Sequence, residues 1–233
     1  MNCILEQVIN IVLWGKDELK DNKNKIFPYS YEKNHVDKIS FILHLTDSSK
    51  KVDNIRDWIN CLKKEGLIDI KFNTSIKVKN KLDLLMPEKQ DISIICIFKN
   101  RLSKFVPRWI YVSETNKWKV TYSETPCDNF VLNKYTDNTE NFKAILYKLR
   151  DYYIDMNDSS AEKFEKIINI LLDDNYNDFK ITANDALYNA SNEVDYLFCG
   201  MGSWFDCLPN KMYEYAEELY KQERLALLYC INQ

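Results

Sequence analysis

The hydrophobic pattern of this 233-residue chain changes its period, and that change limits the possible folds more than any other feature. Between Ile39 and Tyr122 most apolar residues alternate with polar ones or form short apolar runs. After the polar stretch 126–138 they recur every three or four positions as far as Leu227. A period of two is typical of strands and a period of 3.6 of helices. We therefore predict an α+β protein in which a mainly antiparallel sheet with one or two helices precedes a C-terminal bundle of about four helices.

The polar stretch 126–138 is also the predicted boundary between two domains. A chain of this length can form one large domain or two small ones, and in either case it can bury a hydrophobic core. We predict an α+β domain at 1–135 and an acidic helical domain at 136–233.

Two amphipathic helices are predicted among the strands of the first domain. The apolar stripe of residues 2–20 predicts a helix that packs on the sheet. A second stripe ends at Gly66, a typical residue just past a helix C-terminus, and Asp47, Ser48 and Ser49 are predicted to cap its start. Strands are predicted at 39–45, 67–72, 75–78, 92–98, 109–112 and 118–122, of which the last two form a hairpin.

Four helical stripes follow one another in the second predicted domain. They begin at Phe142, Phe164, Phe179 and Met212. Ser159 and Glu162 have the spacing of a capping box for the second of these helices, and Asn210 is predicted to cap the last one.

Charge is distributed unevenly along the chain. The net charge is −3, but residues 151–233 carry sixteen Asp and Glu against six Lys and Arg, a net −10. Residues 1–150 carry nineteen against twenty-six, a net +7. Such asymmetry bears on partners and association rates more than on the fold. The acidic part is expected to repel the phosphates of nucleic acids and to attract a basic protein.

Several classes of protein and site are disfavoured by the sequence. No apolar run is long enough to span a bilayer, and the N-terminus lacks the basic start of a signal peptide, so we expect a cytoplasmic protein with no membrane partner. The seven cysteines are odd in number, include no C-x-x-C pair, and those near the C-terminus lie far from His35 and His44. This spacing disfavours a metal site or a disulfide framework. We expect reduced, mostly buried thiols, no metal and no cofactor.

The run Cys-Gly-Met-Gly-Ser-Trp-Phe-Asp-Cys holds two of the chain's four glycines between two predicted helices. Gly200 and Gly202 lack the third glycine of a dinucleotide fingerprint, and the run lacks the pattern of a nucleophile elbow. We interpret it as a structural turn in which Trp204 and Phe205 fill the helical core and Asp206 caps the turn. The alternative is contact with a partner through the same three side chains. Catalysis is the least favoured interpretation, because no histidine lies near the run.

Acidic residues are concentrated on both sides of this turn. They are Asp173, Asp174 and Asp178 between two predicted helices, and Glu193, Asp195 and Asp206 around the glycines. No loop has the ligand spacing of a calcium site. These residues form either an ordinary solvated surface or a surface that docks a basic protein. Together with Trp204 and Phe205 they are the candidate partner-binding residues.

Basic residues between Lys63 and Arg108 leave nucleic-acid binding open as an alternative function. The helix 52–65 followed by strands is faintly similar to a winged-helix reader, but it carries few basic residues of its own and only one helix precedes it. Nucleic acid is therefore the less favoured partner. A small hydrolase is the least favoured class, because the sequence shows no catalytic triad and only two histidines.

The run Tyr196–Asp206 resembles a Gly-Gly-Met-Gly-Ser-Trp-Asn-Asp-like turn of small bacterial proteins, some of which resemble immunity proteins of polymorphic toxin systems. Here Cys199 stands in place of the first glycine and Phe205 in place of the asparagine. The resemblance covers the C-terminal part of the chain and brings no catalytic residues with it; it implies a partner that is neutralised. With the acidic charge, it predicts an immunity-type protein, not an enzyme, that binds a basic toxin domain such as a nuclease.

Overall fold

A computed structural model describes the chain in seven segments. They are residues 3–20, 35–45, 48–77, 91–127, 134–173, 185–198 and 203–233. The described residues form an α+β structure in which a six-stranded sheet comes first and a group of helices comes last, so the predicted class and order are confirmed. The chain divides into two compact units. The sheet unit comprises Cys3–Asn73 and Ile92–Asn133, and the helical unit comprises Met1–Asn2, Thr74–Asp91 and Lys134–Gln233.

The described part of the sheet unit contains two α-helices and six strands. In chain order these are α1 (Cys3–Leu19), β1 (Val36–Leu45), β2 (Ser48–Val52), α2 (Ile55–Lys64), β3 (Leu67–Asn73), β4 (Ser93–Phe98), β5 (Leu102–Val112) and β6 (Lys117–Pro126). The strands are ordered β2-β1-β6-β5-β4-β3. β1 and β6 run parallel, whereas the other four neighbouring pairs run antiparallel. The sheet is therefore mixed, with one parallel pair that the sequence pattern did not predict.

Aromatic side chains form the centre of the sheet unit, on the face that both helices cover. Phe41 of β1 stacks on Trp58 of α2 at 4.2 Å and on Tyr122 of β6 at 5.1 Å between ring centroids. The hydroxyl of Tyr122 donates a hydrogen bond to Gln7 Oε1 of α1 at 2.7 Å. We call this side of the sheet the core face and the other side the outer face. Because strand side chains alternate, every second residue of β1, β5 and β6 belongs to the outer face.

The strands β5 and β6 form the predicted hairpin, and they extend beyond both predicted ends. The register pairs Trp109 with Val120 and Tyr111 with Trp118. Asn116 in the connecting turn has φ 54°, a left-handed conformation that asparagine tolerates better than most residues. The hairpin prediction is confirmed, and the longer strands bring Lys104 and Thr125 into the same ladder.

The predicted caps of α2 are wrong. Ser48 and Ser49 lie in β2, an edge strand that pairs with β1, while Asp47 lies outside the described residues. The cap is Asn54, whose Oδ1 accepts the backbone N–H of Asp57 at 2.8 Å. A short polar segment can still be an edge strand because its hydrogen bonds come from the backbone, and lysines on an edge oppose aggregation.

The predicted strand at 75–78 is also wrong over the residues that the structure describes. Ser75 Oγ donates to the carbonyl of Lys77 and accepts its backbone N–H, each at 3.2 Å, so the segment forms a local turn. Serine side chains compete with sheet ladders in this way. Val78 lies outside the described residues.

Four α-helices and one short 3₁₀ turn form the described part of the helical unit. They are α3 (Thr139–Asp155), α4 (Ser160–Leu172), α5 (Asp185–Phe198), the 3₁₀ turn (Asn210–Met212) and α6 (Tyr213–Ile231). Asn210 begins the 3₁₀ turn and does not cap α6, because the extra turn of chain separates it from the helix start at Tyr213. In the described parts of the chain, no helix combines the length and the apolar character needed to cross a membrane.

The predicted capping box before α4 is not formed. Ser159 makes no side-chain cap, and Asp158 Oδ1 accepts the backbone N–H of Ser160 at 2.7 Å instead. The reason lies in the preceding helix end. Asn157, with φ 51°, donates its N–H to Ile154 at 2.9 Å, and the turn that follows brings Asp158 to the start of α4.

Candidate functional site

Trp204 lies in the core of the helical unit. Its side chain is 4% exposed, and its Nε1 donates a hydrogen bond to the hydroxyl of Tyr153 on α3 at 2.8 Å. The ring meets Phe164 of α4 and Phe198 of α5 edge-on, with centroids 5.2 and 6.0 Å away. A buried tryptophan usually satisfies its N–H in this way. Trp204 therefore fixes the turn after α5 against three helices.

Phe205 is fully buried beside it. Its ring packs against Phe198 at 5.2 Å and Tyr213 at 5.9 Å, and its backbone N–H donates to the carbonyl of Leu197 at 3.0 Å. Phe205 is closed to a partner while the helical unit is folded, and Trp204 is open only along the groove that it helps to line. Both rings form the frame of the turn.

The described part of the turn is closed by Ser203. Its Oγ accepts the backbone N–H of Asp206 at 3.2 Å, a contact that the sequence did not indicate. Asp206 itself is exposed. Gly200 and Gly202 lie outside the described residues, so their role in the turn stays a prediction.

A groove of about 350 Å³ opens beside the indole of Trp204. Apolar and aromatic side chains contribute much of its lining, among them Tyr152, Met156 and Pro209. Asp158 and Lys163 contribute charges of opposite sign. Met156 is 60% exposed, so the apolar lining continues onto the surface. An apolar groove with a few charged groups at its margin suits the side chain of a protein partner.

The predicted acidic residues occupy different environments. Glu193 on α5 is bound to Lys166 on α4, with 2.7 Å between its Oε2 and the lysine Nζ. Asp173 is the exposed residue that ends α4, and Asp206 is exposed on the turn. Asp195, in contrast, is buried. Asp174 and Asp178 lie outside the described residues.

Asp195 belongs to a buried charged cluster with two residues of α6. Arg224 Nη2 donates to Asp195 Oδ1 at 2.6 Å, and Arg224 Nη1 donates to both carboxylate oxygens of Glu223 at 2.7 and 2.6 Å. Arg224 and Glu223 are 1% and 0% exposed. The guanidinium carbon also lies 4.8 Å from the ring centroid of Tyr220. The cluster ties α5 to α6, and none of its charges contributes directly to the surface.

Burial changes the protonation of this cluster. It raises the pKa of Glu223 to about 8; the charge of Asp195 adds to this effect and Arg224 opposes it. Glu223 therefore holds its proton to a higher pH than an exposed glutamate does, while Arg224 donates to both Asp195 and Glu223. A single ion pair with a neutral carboxyl beside it costs less to bury than two carboxylates facing one cation.

Glu223 and Arg224 were not among the predicted site residues, although the position of Glu223 in the helical pattern indicates its burial. Glu223 lies four residues after Leu219 and four before Leu227, in the middle of the apolar stripe of α6. A charged residue at such a position is buried, and burial requires a partner. Asp195 has the same kind of position on α5, three residues before Phe198.

Outside the buried cluster, the acidic residues of 151–233 whose side chains the structure describes are all exposed or half-buried. Asp155, Glu162 and Glu214 are exposed. Without the buried cluster, residues 151–233 still carry fourteen acidic against five basic residues, a net −9. In the described part of this region, the negative charge that lies outside the cluster is thus at or near the surface.

Potential metal ligands and thiols are scattered over the described parts of the chain. No group of three or more potential metal ligands comes together among these residues. The cysteines described there are free, and their exposure corrects one expectation. Cys96 alone among them is buried, Cys207 is exposed, and the others are half-buried: Cys61, Cys127 and Cys230. His35 and His44 are both exposed.

No protein-family model, no curated protein and no solved structure matches this chain.

Proposed function

We propose that the chain is a cytoplasmic immunity-type protein, without catalytic activity, whose helical unit binds and neutralises a basic toxin domain. The observation that carries this proposal is the segregation of charge. A net −9 remains for residues 151–233 after the buried cluster has been set aside, while residues 1–150 carry +7. A binding protein for a nucleic-acid-cleaving toxin needs such a surface, because its partner has to be basic to hold its own substrate.

Complementary charge acts first on the encounter between the two proteins. Clustered charges of one sign raise association rates by about ten- to a thousandfold, and salt removes that gain. Neutralisation of a toxin depends on capture before the toxin acts, so a gain in association rate is useful for this function.

The groove beside Trp204 gives the surface an apolar contact that charge alone does not provide. Met156 and Ile154 are 60% and 57% exposed at the end of α3, next to Asp155. Asp206 lies on the turn beside the groove. Interfaces draw most of their affinity from a few apolar anchors that are surrounded by polar residues. We propose that a partner side chain enters this groove while Asp155 and Asp206 face its basic surface.

The proposal is tested with the product of the gene that neighbours this one in its native genome. Co-expression should relieve the toxicity of that product, and the purified proteins should associate faster at low salt than at high salt. The variant D155K/E214K reverses two exposed charges of the helical unit. It should lower the association rate at low salt by about tenfold or more, and the difference should vanish in high salt.

A matched control places the same kind of charge change on the sheet unit. Glu114 is exposed in the β5–β6 turn, and E114K should leave the association rate nearly unchanged. Equal association rates of the wild type at low and high salt would overturn the electrostatic basis of the proposal. Undiminished toxicity on co-expression would overturn the immunity function itself.

A further inference from the structure

The outer face of the sheet gathers basic side chains that lie far apart in the sequence. Alternation places Lys38 of β1, Lys104 and Arg108 of β5, and Lys117 and Lys119 of β6 on that face. We call these five residues the basic face. By the same alternation, no outer-face position of β5, β6 or β1 from Lys38 onward is occupied by Asp or Glu, but Asp37 is exposed beside Lys38 where the register of β1 and β6 shifts.

Strand register brings the members of the basic face close to one another. Lys38 lies directly opposite Lys119 in the parallel pair, and Lys119 lies opposite Ile110 in the antiparallel pair. The next outer-face row joins Ser40, Thr121 and Arg108, about 7 Å further along the strands. The basic residues thus follow a band about 25 Å long, from Lys104 to the end of the hairpin.

A solvated sheet face is polar as a rule, but it usually mixes charges of both signs. Two lysines directly opposite each other, such as Lys38 and Lys119, destabilise a sheet. Part of that cost is offset, because Lys38 Nζ is bound to Asp53 at 2.8 Å. Glu114 adds one exposed acid at the hairpin turn. With Asp37 beside Lys38, three acids lie at the margins, and the five cations still leave a net positive surface.

We propose that the basic face binds the phosphate backbone of double-stranded DNA. Lysine, arginine and hydroxyl side chains provide most phosphate contacts in protein–DNA complexes. Two hydroxyl groups stand between the cations on this face: Thr125 is exposed next to Lys104 in the ladder, and Thr121 is half-buried, with a hydrogen bond at 3.1 Å to the buried Ser40. Val106 and Ile110, 37% and 50% exposed, add apolar contact area.

The composition of the basic face favours a DNA duplex over a single strand as its ligand. Proteins that hold single strands stack the bases on aromatic rings. The aromatic residues of the hairpin, Trp109, Tyr111 and Trp118, alternate onto the core face, where Trp118 contacts both others edge-on. The outer-face positions of β1, β5 and β6 hold no aromatic residue other than the imidazole of His44. Contacts to phosphates without base stacking suit a duplex.

The sequence-based preference against nucleic acid considered only α2 as a recognition helix. Arg56 and Lys64 are the basic residues on the exposed side of α2. The sequence could not show that five other cations share one sheet face, because the parallel pairing of β1 with β6 brings Lys38 to Lys119. The proposal is independent of toxin binding, which we assign to the helical unit.

The test uses the full chain and a fluorescent, mixed-sequence DNA duplex of about 25 base pairs, with binding followed by anisotropy between about 50 and 200 mM salt. Four or so phosphate contacts predict a slope near −3.6 in a plot of log K against log salt, or about a hundredfold loss across that range. R108Q/K119Q should reduce the magnitude of the slope by about two and weaken binding by about tenfold or more at the lower salt.

The control R56Q/K64Q removes the same charge from α2 and should bind within about twofold of the wild type. An equal loss in the control would show that the net charge, and not the basic face, governs binding. Equal or tighter binding of the single strand would overturn the duplex assignment. A salt-dependent dimer that R108Q/K119Q abolishes, without any DNA binding by the wild type, would assign the face to the acidic surface of a second copy and overturn the proposal.

Discussion

Each unit buries a glutamate against an arginine, but the two pairs differ in how far the arginine is from water. In the sheet unit Glu124 is 5% exposed, and it binds Arg101 at 2.9 Å, the hydroxyl of Ser103 at 2.6 Å and the backbone N–H of His44 at 2.8 Å. The side chain of Arg101 is 42% exposed. In the helical unit Glu223 and Arg224 are both fully enclosed.

The exposure of the arginine decides how much of the cost of burying its charge is relieved by water. Arg101 lies on Phe98, with its guanidinium carbon 4.0 Å from the ring centroid, and it also binds Glu65. Water still solvates part of it, so its pair with Glu124 makes a modest contribution. Arg224 is cut off from water, and the attraction to its carboxyl partners has to compensate the whole desolvation of the cation. The helical unit therefore depends on an intact cluster, whereas the sheet unit does not depend on Arg101 to the same degree.

The largest predicted effect comes from breaking the cluster of the helical unit. R224M removes the only cation and leaves Asp195 and Glu223 facing each other in the core. We expect the free energy of unfolding of the helical unit to fall by about 3–5 kcal/mol. Hydrogen exchange of the α5 and α6 amides measures this loss. The control K221M removes an exposed lysine from the same helix and should change the free energy by less than about 0.5 kcal/mol. A loss below about 1 kcal/mol in R224M would show that the cluster is not essential to this unit.

The second prediction concerns pH and the same glutamate. Burial raises the pKa of Glu223 to about 8 in the folded protein, from the ordinary value of 4.5. Between these two pH values the folded state binds a proton that the unfolded state has released. The stability of the helical unit should therefore fall as pH rises from 4.5 towards 8. Above pH 8 the titration of Glu223 should cause no further loss. The loss should be smaller than that in R224M, because the ionised Glu223 still faces Arg224.

The substitution E223Q isolates this effect, because glutamine keeps the shape of the neutral carboxyl and cannot ionise. Its stability should vary less with pH in the same window, as measured by hydrogen exchange of α6 at a series of pH values. Identical pH profiles for E223Q and the wild type would show that Glu223 is not the group that titrates.

The features that the sequence predicted are those that neighbouring residues determine. The stripe of α2, its end at Gly66 and the β5–β6 hairpin depend on contacts within a few residues, and the structure confirms each of them. The parallel pairing of β1 with β6 depends on residues about eighty positions apart, such as Ser40 and Thr121, and no local pattern specifies it.

The candidate site was predicted less well, because a count of charges does not show which of the charged residues are buried. Asp195 and Glu193 are two residues apart in the sequence, yet one is buried against Arg224 and the other binds Lys166 near the surface. The burial of Trp204 and Phe205 agrees with one of the two interpretations that their composition left open. The helical phase of α5 decides that Asp195 is buried and Glu193 is not. The aromatic contacts around the turn decide that Trp204 and Phe205 belong to the core.

A third prediction tests the partly exposed arginine of the sheet unit. R101M removes one of the three donors to Glu124, while Ser103 and the backbone of His44 remain. Water can reach the carboxylate through the space that the arginine leaves. We therefore expect a loss of about 1–2 kcal/mol in the sheet unit, clearly below the loss from R224M. Hydrogen exchange of the β5 and β6 amides provides the measurement, and equal losses for the two arginine variants would contradict the proposed role of burial depth.

The smallest predicted effect compares the ends of α2 and α3. Gly66 follows α2 with φ 86°, and Asn157 occupies the corresponding left-handed position after α3 with φ 51°. Each donates its N–H to the last turn of its helix, at 3.0 Å to Lys63 and at 2.9 Å to Ile154. Glycine adopts this conformation without the steric cost that asparagine partly pays. G66N should therefore destabilise the sheet unit and N157G should stabilise the helical unit, each by less than about 1 kcal/mol.

The described residues leave room for a side chain at Gly66. None of their atoms lies within 4 Å of a Cβ built there, so the backbone conformation is what opposes a side chain. G66A should then cost more than G66N, because alanine cannot form the local hydrogen bonds that help asparagine in this region. Denaturant midpoints for the three variants, compared at an unchanged slope, give this order directly. If G66A were as stable as the wild type, the left-handed backbone would not limit the end of α2.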